Sequence, residues 1–412
     1  MAKICAGRNL RTLQQSRYII QVMGDATPKA PPAKTVLFQQ QRPGGLTYRI
    51  PSLTYIKDGD ERILLAIAEK RSTPCDTDAE ILVMRKGKLH LNGTAEWSSI
   101  RELSSASLPK HRTMNPCVVR EKISETLFLF FICIPKNVSE TQQICRGKNA
   151  ARLCYISSTD KGENWSKVTD LTESVIGRQI HRWATFAVGP GHGLQLLSSG
   201  KLIVPAYVYY IHCKCCCYPC PKYIRPHAFY FYSEDRGETW HISKPVKKNS
   251  AECEVAEIID GSANSHVYCN ARSSKGHRVE AVGESDRADF DRCNSARALV
   301  EQHHGCQGSV IGFPAPNTDQ GGDMQTWLLF SHPTNCKKRK DLGVYVNRKP
   351  LCPSDWQKPW IICPGPSAYS DLTYCADLGL FACLLECGQK HENEQIAFVS
   401  FPLHDVLEAT DN

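Results

Sequence analysis

No apolar run in the chain is long enough to cross a membrane as a helix. The longest uninterrupted one, Leu127 to Ile134, has eight residues, against the roughly 20 that a span requires. A long basic block is also missing. The 50 Lys and Arg against 42 Asp and Glu leave a net +8, a mild excess that suits an anionic substrate or an anionic membrane surface and gives no support to a nucleic-acid partner. Met1–Gly24 lacks the continuous apolar stretch of a secretory signal, being interrupted by Arg8, Arg11 and Arg17. The 21 cysteines are therefore expected as mostly reduced thiols in a protein facing the cytosol, not as a disulfide scaffold. Long helical periodicity is absent as well; only Thr169–Ile176 hints at it.

What is present is a series of short runs rich in β-branched and aromatic residues, separated by Gly, Pro, Asp and Asn. Ile63–Ala68, Leu127–Ile134, Leu202–Ile211, His227–Tyr232, Thr326–Phe330 and Ile396–Phe401 are examples. The chain reads as all-β, and 412 residues of short strands favour radial repetition over one sandwich. Residues 1–35 stand apart: basic, without an acidic residue before Asp25, and ending in Pro28, Pro31 and Pro32. They are expected to be a disordered extension, with a short amphipathic segment at Leu10–Met23 as the rival. Residues 36–412 form the β domain.

One repeat is visible directly. Ser158 to Trp165 and Ser233 to Trp240 share the form S-x-D-x-G-x-x-W, each after a strand-like run. In such a turn Asp160 or Asp235 accepts turn N–H bonds, Gly162 or Gly237 supplies a positive φ, and Trp165 or Trp240 folds back onto the neighbouring sheet. These residues are expected to hold the fold and to take no part in chemistry.

Tyr48-Arg49-Ile50-Pro51, together with the two aspartate turns, resembles the F/Y-R-I-P signature of the sialidases, or neuraminidases. The resemblance extends over nearly all of Thr35–Leu403. His111–Pro116, Phe186–His192, Asn270–Arg272, Gly305–Val310 and Tyr369–Leu372 are all similar to the animal branch, and the sequence is most similar to the plasma-membrane ganglioside sialidases. The resemblance implies a six-bladed β-propeller with a central active site and an exo-α-sialidase that needs no metal or cofactor. A propeller that binds sialoglycans without turnover, or a cytosolic sialidase of broad specificity, is the alternative. One departure bears on the subtype: the chain between Phe313 and Trp327 is short, where mammalian plasma-membrane relatives carry an insertion.

A sialoside presents a carboxylate on its anomeric carbon, so a site must hold that anion, protonate the leaving oxygen and attack the carbon. Guanidinium groups suit the first task, because they bind carboxylate bidentately and stay charged. The resemblance assigns it to Arg49, Arg272 and Arg339, the last chosen from the basic run Lys337–Lys340 by its spacing from Asp341-Leu-Gly343. A carboxylate nucleophile would repel the substrate's own anion, and a phenol avoids this; sialidases depart from the two-carboxylate rule in that way. Tyr369 matches the nucleophile and Glu252 its base, while Glu254 and Glu257 are expected to be strand or rim carboxylates. Asp76 matches the acid/base on a mobile loop, with Asp78 as its competitor. Arg71 would add a donor near the ring hydroxyls, and Glu386 would orient Arg49. Met114 and Asn115 would line the acetamido pocket; Tyr207, Tyr209 and Glu140 would meet the acetamido and glycerol arms.

Cys213 to Cys220 is the most unusual stretch. Cys217 and Cys220 have ligand spacing, but no second pair lies at structural-zinc distance. S-acylation of Cys215, Cys216, Cys217 and Cys220 suits such a cluster of thiols beside Lys214, Lys222 and Arg225. Two acyl chains anchor firmly where one does not, which would give peripheral membrane attachment and access to sialylated glycolipids.

Overall fold

A computed structural model describes residues 29–213, 223–316, 325–352 and 355–411. Within them the aromatic and β-branched runs form antiparallel strands, and the all-β expectation holds. No helix of the described residues is long and apolar enough to cross a membrane. The four cysteines proposed for acylation lie outside the described residues, as does most of the N-terminal extension; every cysteine among those described is a free thiol.

The strands pair into five hydrogen-bonded sheets, not the six expected. Four of these have four or five strands. They are built on Thr47–Asp58 with Glu61–Arg71, on His111–Arg120 with Leu127–Pro135, on Leu202–Ile211 with Ile224–Ser233, and on Cys253–Ile259 with Ser265–Ala271. The fifth has seven strands, because Trp360–Cys375 runs for 16 residues and serves two sets of neighbours. Its first part pairs with Lys340–Asn347, through partners from Trp360 to Pro366; its second part, Ser367 to Cys375, pairs with Leu380–Cys387. Pro364 and Pro366 bend this strand without breaking it, so what sequence punctuation suggests are two sheets remain hydrogen-bonded as one. Thr35–Gln39 pairs with Gln395–Pro402 at the edge of the same sheet, which ties the start of the described chain to its end.

Both aspartate turns adopt the expected geometry. The Ser158 hydroxyl accepts from the Gly162 N–H at 2.9 Å, and Asp160 accepts from the Asn164 N–H at 2.8 Å. Ser233 and Asp235 repeat this with Gly237 and Thr239 at 2.8 and 2.9 Å. The turns also lock neighbouring sheets together. Trp240 stacks edge-on against Phe130, centroids 4.6 Å apart, and a Cβ on Gly237 would lie 2.4 Å from Phe128. Glycine is required there for close approach as well as for its φ of +96°.

Among the described residues two α-helices accompany the strands. Glu140–Arg146 is started by a reciprocal capping box between Ser139 and Gln142, and Leu403–Thr410 packs against the last sheet. The helical hint at Thr169–Ile176 resolves into a two-residue strand followed by a single helical turn, Thr172–Ile176.

Candidate active site

Side chains two residues apart on a strand share a face, and this places the site's chemistry in two tiers. Glu252 and Glu254, at the start of one strand, and Tyr369 and Asp371, on another, point the same way in pairs. The upper pair meets at a cavity of about 930 Å³ lined by every predicted catalytic and substrate-binding residue. The lower pair is sealed beneath it, both residues wholly buried.

In the upper tier the Tyr369 hydroxyl donates to Glu252 Oε1 at 2.5 Å. Arg272 Nη1 donates to Glu252 Oε2 at 2.7 Å and to the Tyr369 hydroxyl at 3.1 Å. Burial pushes the Tyr369 phenol well above its usual range; Glu252 adds to this, and Arg272 with Arg339 opposes it only in part. The phenol is therefore protonated at rest and shares its proton with a carboxylate already aligned to take it.

Three guanidinium groups surround this pair. Arg49 and Arg339 each place Cζ 5.4 Å from the centre of the Tyr369 ring. Arg49 Nε donates to the buried Glu386 at 2.7 Å, and the same oxygen takes the N–H of Ile50, held at φ +60°, at 2.8 Å. Arg272 is fixed from behind by the His304 carbonyl at 3.0 and 2.6 Å, and Arg339 by the Gly305 carbonyl at 2.9 Å. Guanidinium groups converging in this way have the charge and donor geometry to hold a carboxylate.

Asp76 opens the exposed turn Asp76–Asp78 and accepts from Arg71 Nη1 at 2.5 Å. Burial within the pocket mouth favours its acid form, but Arg71 and Arg49 outweigh this and hold the carboxyl below its usual range. Asp78 braces the loop by accepting from the Thr73 hydroxyl at 2.5 Å. Arg71 lines the cavity and is held firmly in place. Its side chain is 1% exposed, and four of its five N–H groups go to Glu69, Asp76 and the Pro74 carbonyl, so it orders the loop that carries Asp76.

Met114 and Asn115 sit on the His111–Arg120 strand, and the Tyr207 hydroxyl reaches Glu140 at 3.5 Å, with the Tyr209 ring 6.2 Å from that of Tyr207. Glu140 is an exposed residue on the cavity wall, and desolvation by the surrounding wall pushes its carboxyl up to about 7, with Glu252 and Asp76 adding to the effect.

The lower tier was not anticipated. Glu254 accepts from Ser309 at 2.6 Å and from the Val310 N–H at 3.0 Å, Ser309 also reaches Asp371 at 3.1 Å, and His192 Nδ1 lies 2.6 Å from Asp371. Burial and the adjacent Asp371 push the Glu254 carboxyl well up. His192, Glu254 and Asp371 bring ligand atoms within 4.8 Å, but these atoms are already bonded to Ser309, Gln307 and the Leu53 and Val310 amides, so they serve the fold. Glu257 is no site residue: it caps the Leu197 and Ser198 amides at 2.6 and 3.1 Å. Two further residues were missed. Glu69 is wholly buried, and Arg112 underlies Met114 while holding the Pro135 and Val138 carbonyls at 2.9 and 2.7 Å ahead of the helix that carries Glu140. Neither stood out in the sequence, because Glu69 lies in the charged run Glu69-Lys70-Arg71 and Arg112 between His111 and Thr113 at a strand start.

Comparison with known proteins gives concordant results. Residues 63–383 match a family described as a BNR repeat-like domain. Sialidase-3 of Bos taurus is 45% identical over 401 residues, covering 90% of this chain and 93% of the relative. Sialidase-2 of Mus musculus is 44% identical over 373 residues, covering 89% and 95%. Among solved structures, the Hadza microbial sialidase Hz136 has the same fold, with a TM-score of 0.70 at 22% identity over 88% of this chain and 67% of that one.

Proposed function

Since the chain belongs to the sialidase family, and is thus an exo-α-sialidase, we propose that its central pocket releases terminal sialic acid by a retaining double displacement in which Tyr369 is the nucleophile. The observation that carries this reading is the 2.5 Å bond from the Tyr369 hydroxyl to Glu252, with Arg272 touching both.

The substrate carboxylate binds across Arg49, Arg272 and Arg339. Its arrival adds a negative charge beside Asp76, which raises the proton affinity of that carboxyl. Asp76 then donates its proton to the leaving oxygen while Glu252 withdraws the phenolic proton, and the Tyr369 oxygen bonds to the anomeric carbon. In the second half Asp76, now ionised, takes a proton from water, whose oxygen bonds to the same carbon as the bond to Tyr369 breaks, and the departing Tyr369 oxygen regains its proton from Glu252. A phenolate that forms only as it attacks adds no second full anion beside the substrate's own. Met114, Asn115, Glu140, Tyr207 and Tyr209 receive the acetamido and glycerol arms. Tyr369→Phe should abolish release of sialic acid and leave sialoside binding measurable by calorimetry; retained hydrolysis would overturn the assignment.

The substrates are sialylated glycoconjugates. We take gangliosides at a membrane surface as the preferred class, reached by peripheral attachment through the acylated cluster Cys215, Cys216, Cys217 and Cys220. The net +8 and the 45% identity to Sialidase-3 support this. Faster release from ganglioside in vesicles than from a soluble sialyl-oligosaccharide is the expected result. Equal rates would make the enzyme one of broad specificity. The propeller count belongs to the same reading: divided at Pro366, the seven-stranded sheet supplies two four-stranded blades that share one strand, giving six.

A further inference from the structure

Glu69 is a fully buried carboxylate with no role in the steps above. It stands two residues before Arg71 on the strand Glu61–Arg71, on the same face. Its Oε2 accepts from Arg71 Nε at 2.8 Å and Nη2 at 2.6 Å. Its Oε1 accepts from the N–H of Asn115 at 2.6 Å, a residue held at φ +59°. The remaining Nη1 of Arg71 goes to Asp76 at 2.5 Å. One line of bonds, Asn115–Glu69–Arg71–Asp76, therefore joins the acetamido wall to the acid/base loop.

We propose that Glu69 is a positioning residue that keeps Asp76 able to carry a proton, by neutralising Arg71 and at the same time fixing the backbone of the acetamido pocket. The inference rests on Asp76 being the acid/base. Arg71 is buried and always charged, so it must have a counter-ion. With Glu69 taking two of its N–H groups, Asp76 is the lesser partner and can leave to donate to a leaving oxygen. Without Glu69, Asp76 becomes the only carboxylate bonded to a buried cation and is locked in its ionised form. The other charges facing Asp76 are Arg49 and Arg112, which favour the carboxylate, and Glu140, which opposes it; Asp78 shares its turn. Glu69 is thus the group that offsets Arg71 most directly, and its contact with Asn115 makes a well-seated acetamido group and a usable proton depend on the same side chain.

The test uses the full chain and two substrates: a soluble sialyl-oligosaccharide, whose leaving alcohol needs a proton, and an aryl sialoside with an acidic phenol, which does not. Glu69→Gln should lower kcat/KM on the oligosaccharide about tenfold more than on the aryl sialoside. It should also move the basic limb of the pH profile about one unit to lower pH. Arg71→Met should move that limb to higher pH, and adding Glu69→Gln to Arg71→Met should then leave it in place, so the pair can be read even where Glu69→Gln alone folds poorly. Equal losses on both substrates with an unmoved limb overturn the proposal. Asp76→Asn is the control. If it fails to spare the aryl sialoside, the acid/base assignment itself falls; if it spares that substrate and Glu69→Gln does not, only the role of Glu69 falls.

Discussion

Glu386 offers a perturbation whose size follows from the structure. It is wholly buried, and its Oε1 accepts from both Arg49 Nε at 2.7 Å and the Ile50 N–H at 2.8 Å, while Oε2 faces the Tyr369 N–H at 3.4 Å. The Arg49 side chain is only 12% exposed. In Glu386→Gln the volume is kept, but a neutral amide replaces the one carboxylate bonded to Arg49. Its NH2 must also face either the guanidinium or the Tyr369 N–H, donor against donor. Removing one partner of a buried ion pair costs about 3–5 kcal/mol. The retained amide oxygen places this variant at the lower end, about 3 kcal/mol of folding stability. Arg49 then loses its fixed direction, and with it one charged hydrogen bond to the substrate carboxylate. That bond is worth about 1.5–3 kcal/mol, or roughly ten- to hundredfold in kcat/KM at 1.4 kcal/mol per tenfold. Urea denaturation and steady-state kinetics on an aryl sialoside measure the two effects separately. A stability within about 0.5 kcal/mol of wild type together with unchanged kcat/KM would refute the argument that Glu386 holds Arg49.

Gly237→Ala forces a methyl group to within 2.4 Å of the Phe128 ring at a φ of +96°. It should cost about 1–3 kcal/mol in urea denaturation with kcat unaffected, because the aspartate turn is remote from the cavity; a neutral substitution would contradict the sheet-locking role. Glu140 gives a pH signature. Its folded-state value of about 7 lies above the usual 4.5, so its contribution to stability is whole below about 4.5 and is lost as pH rises through about 7. Glu140→Gln should therefore compare more favourably with wild type at pH 8 than at pH 5, and equal differences in urea midpoint at the two pH values would count against a desolvated carboxyl. Arg112→Met should leave Asp76 and Tyr369 in place but release the Pro135 and Val138 carbonyls. The expectation is a raised KM with kcat within about threefold of wild type, the mark of lost uniform binding; a fall in kcat alone would contradict it.

The residues of the upper tier were legible through the family resemblance carried by Tyr48–Pro51, Asn270–Arg272 and Tyr369–Leu372, and the fold brings them to one cavity; residue type alone does not separate Arg339 from its basic neighbours or Asp76 from Asp78. The aspartate turns were legible because local hydrogen bonding and a positive φ fix their pattern. The lower tier was not. Glu254 reads as one more strand carboxylate, and only the three-dimensional meeting of Phe186–His192, Gly305–Val310 and Tyr369–Leu372 shows that these stretches converge on one buried network through His192, Ser309 and Asp371. The number of sheets was missed for a related reason. Pro364 and Pro366 punctuate the sequence, yet hydrogen bonding continues past them, because consecutive halves of one strand serve different partners. The helix at Glu140–Arg146 carried a readable signal, Ser139 followed three residues later by Gln142, that a search for strand patterns passes over.

The central claim is that Tyr369 forms a covalent bond to the sugar. A sialyl fluoride bearing a second fluorine beside the anomeric carbon slows both steps and lets such an intermediate accumulate. Digestion and mass spectrometry of the treated enzyme should show one sialyl group on Tyr369 and none in Tyr369→Phe, with Glu252 unlabelled. A label on Glu252 or Asp76, or release of the opposite anomer as first product, would contradict the account.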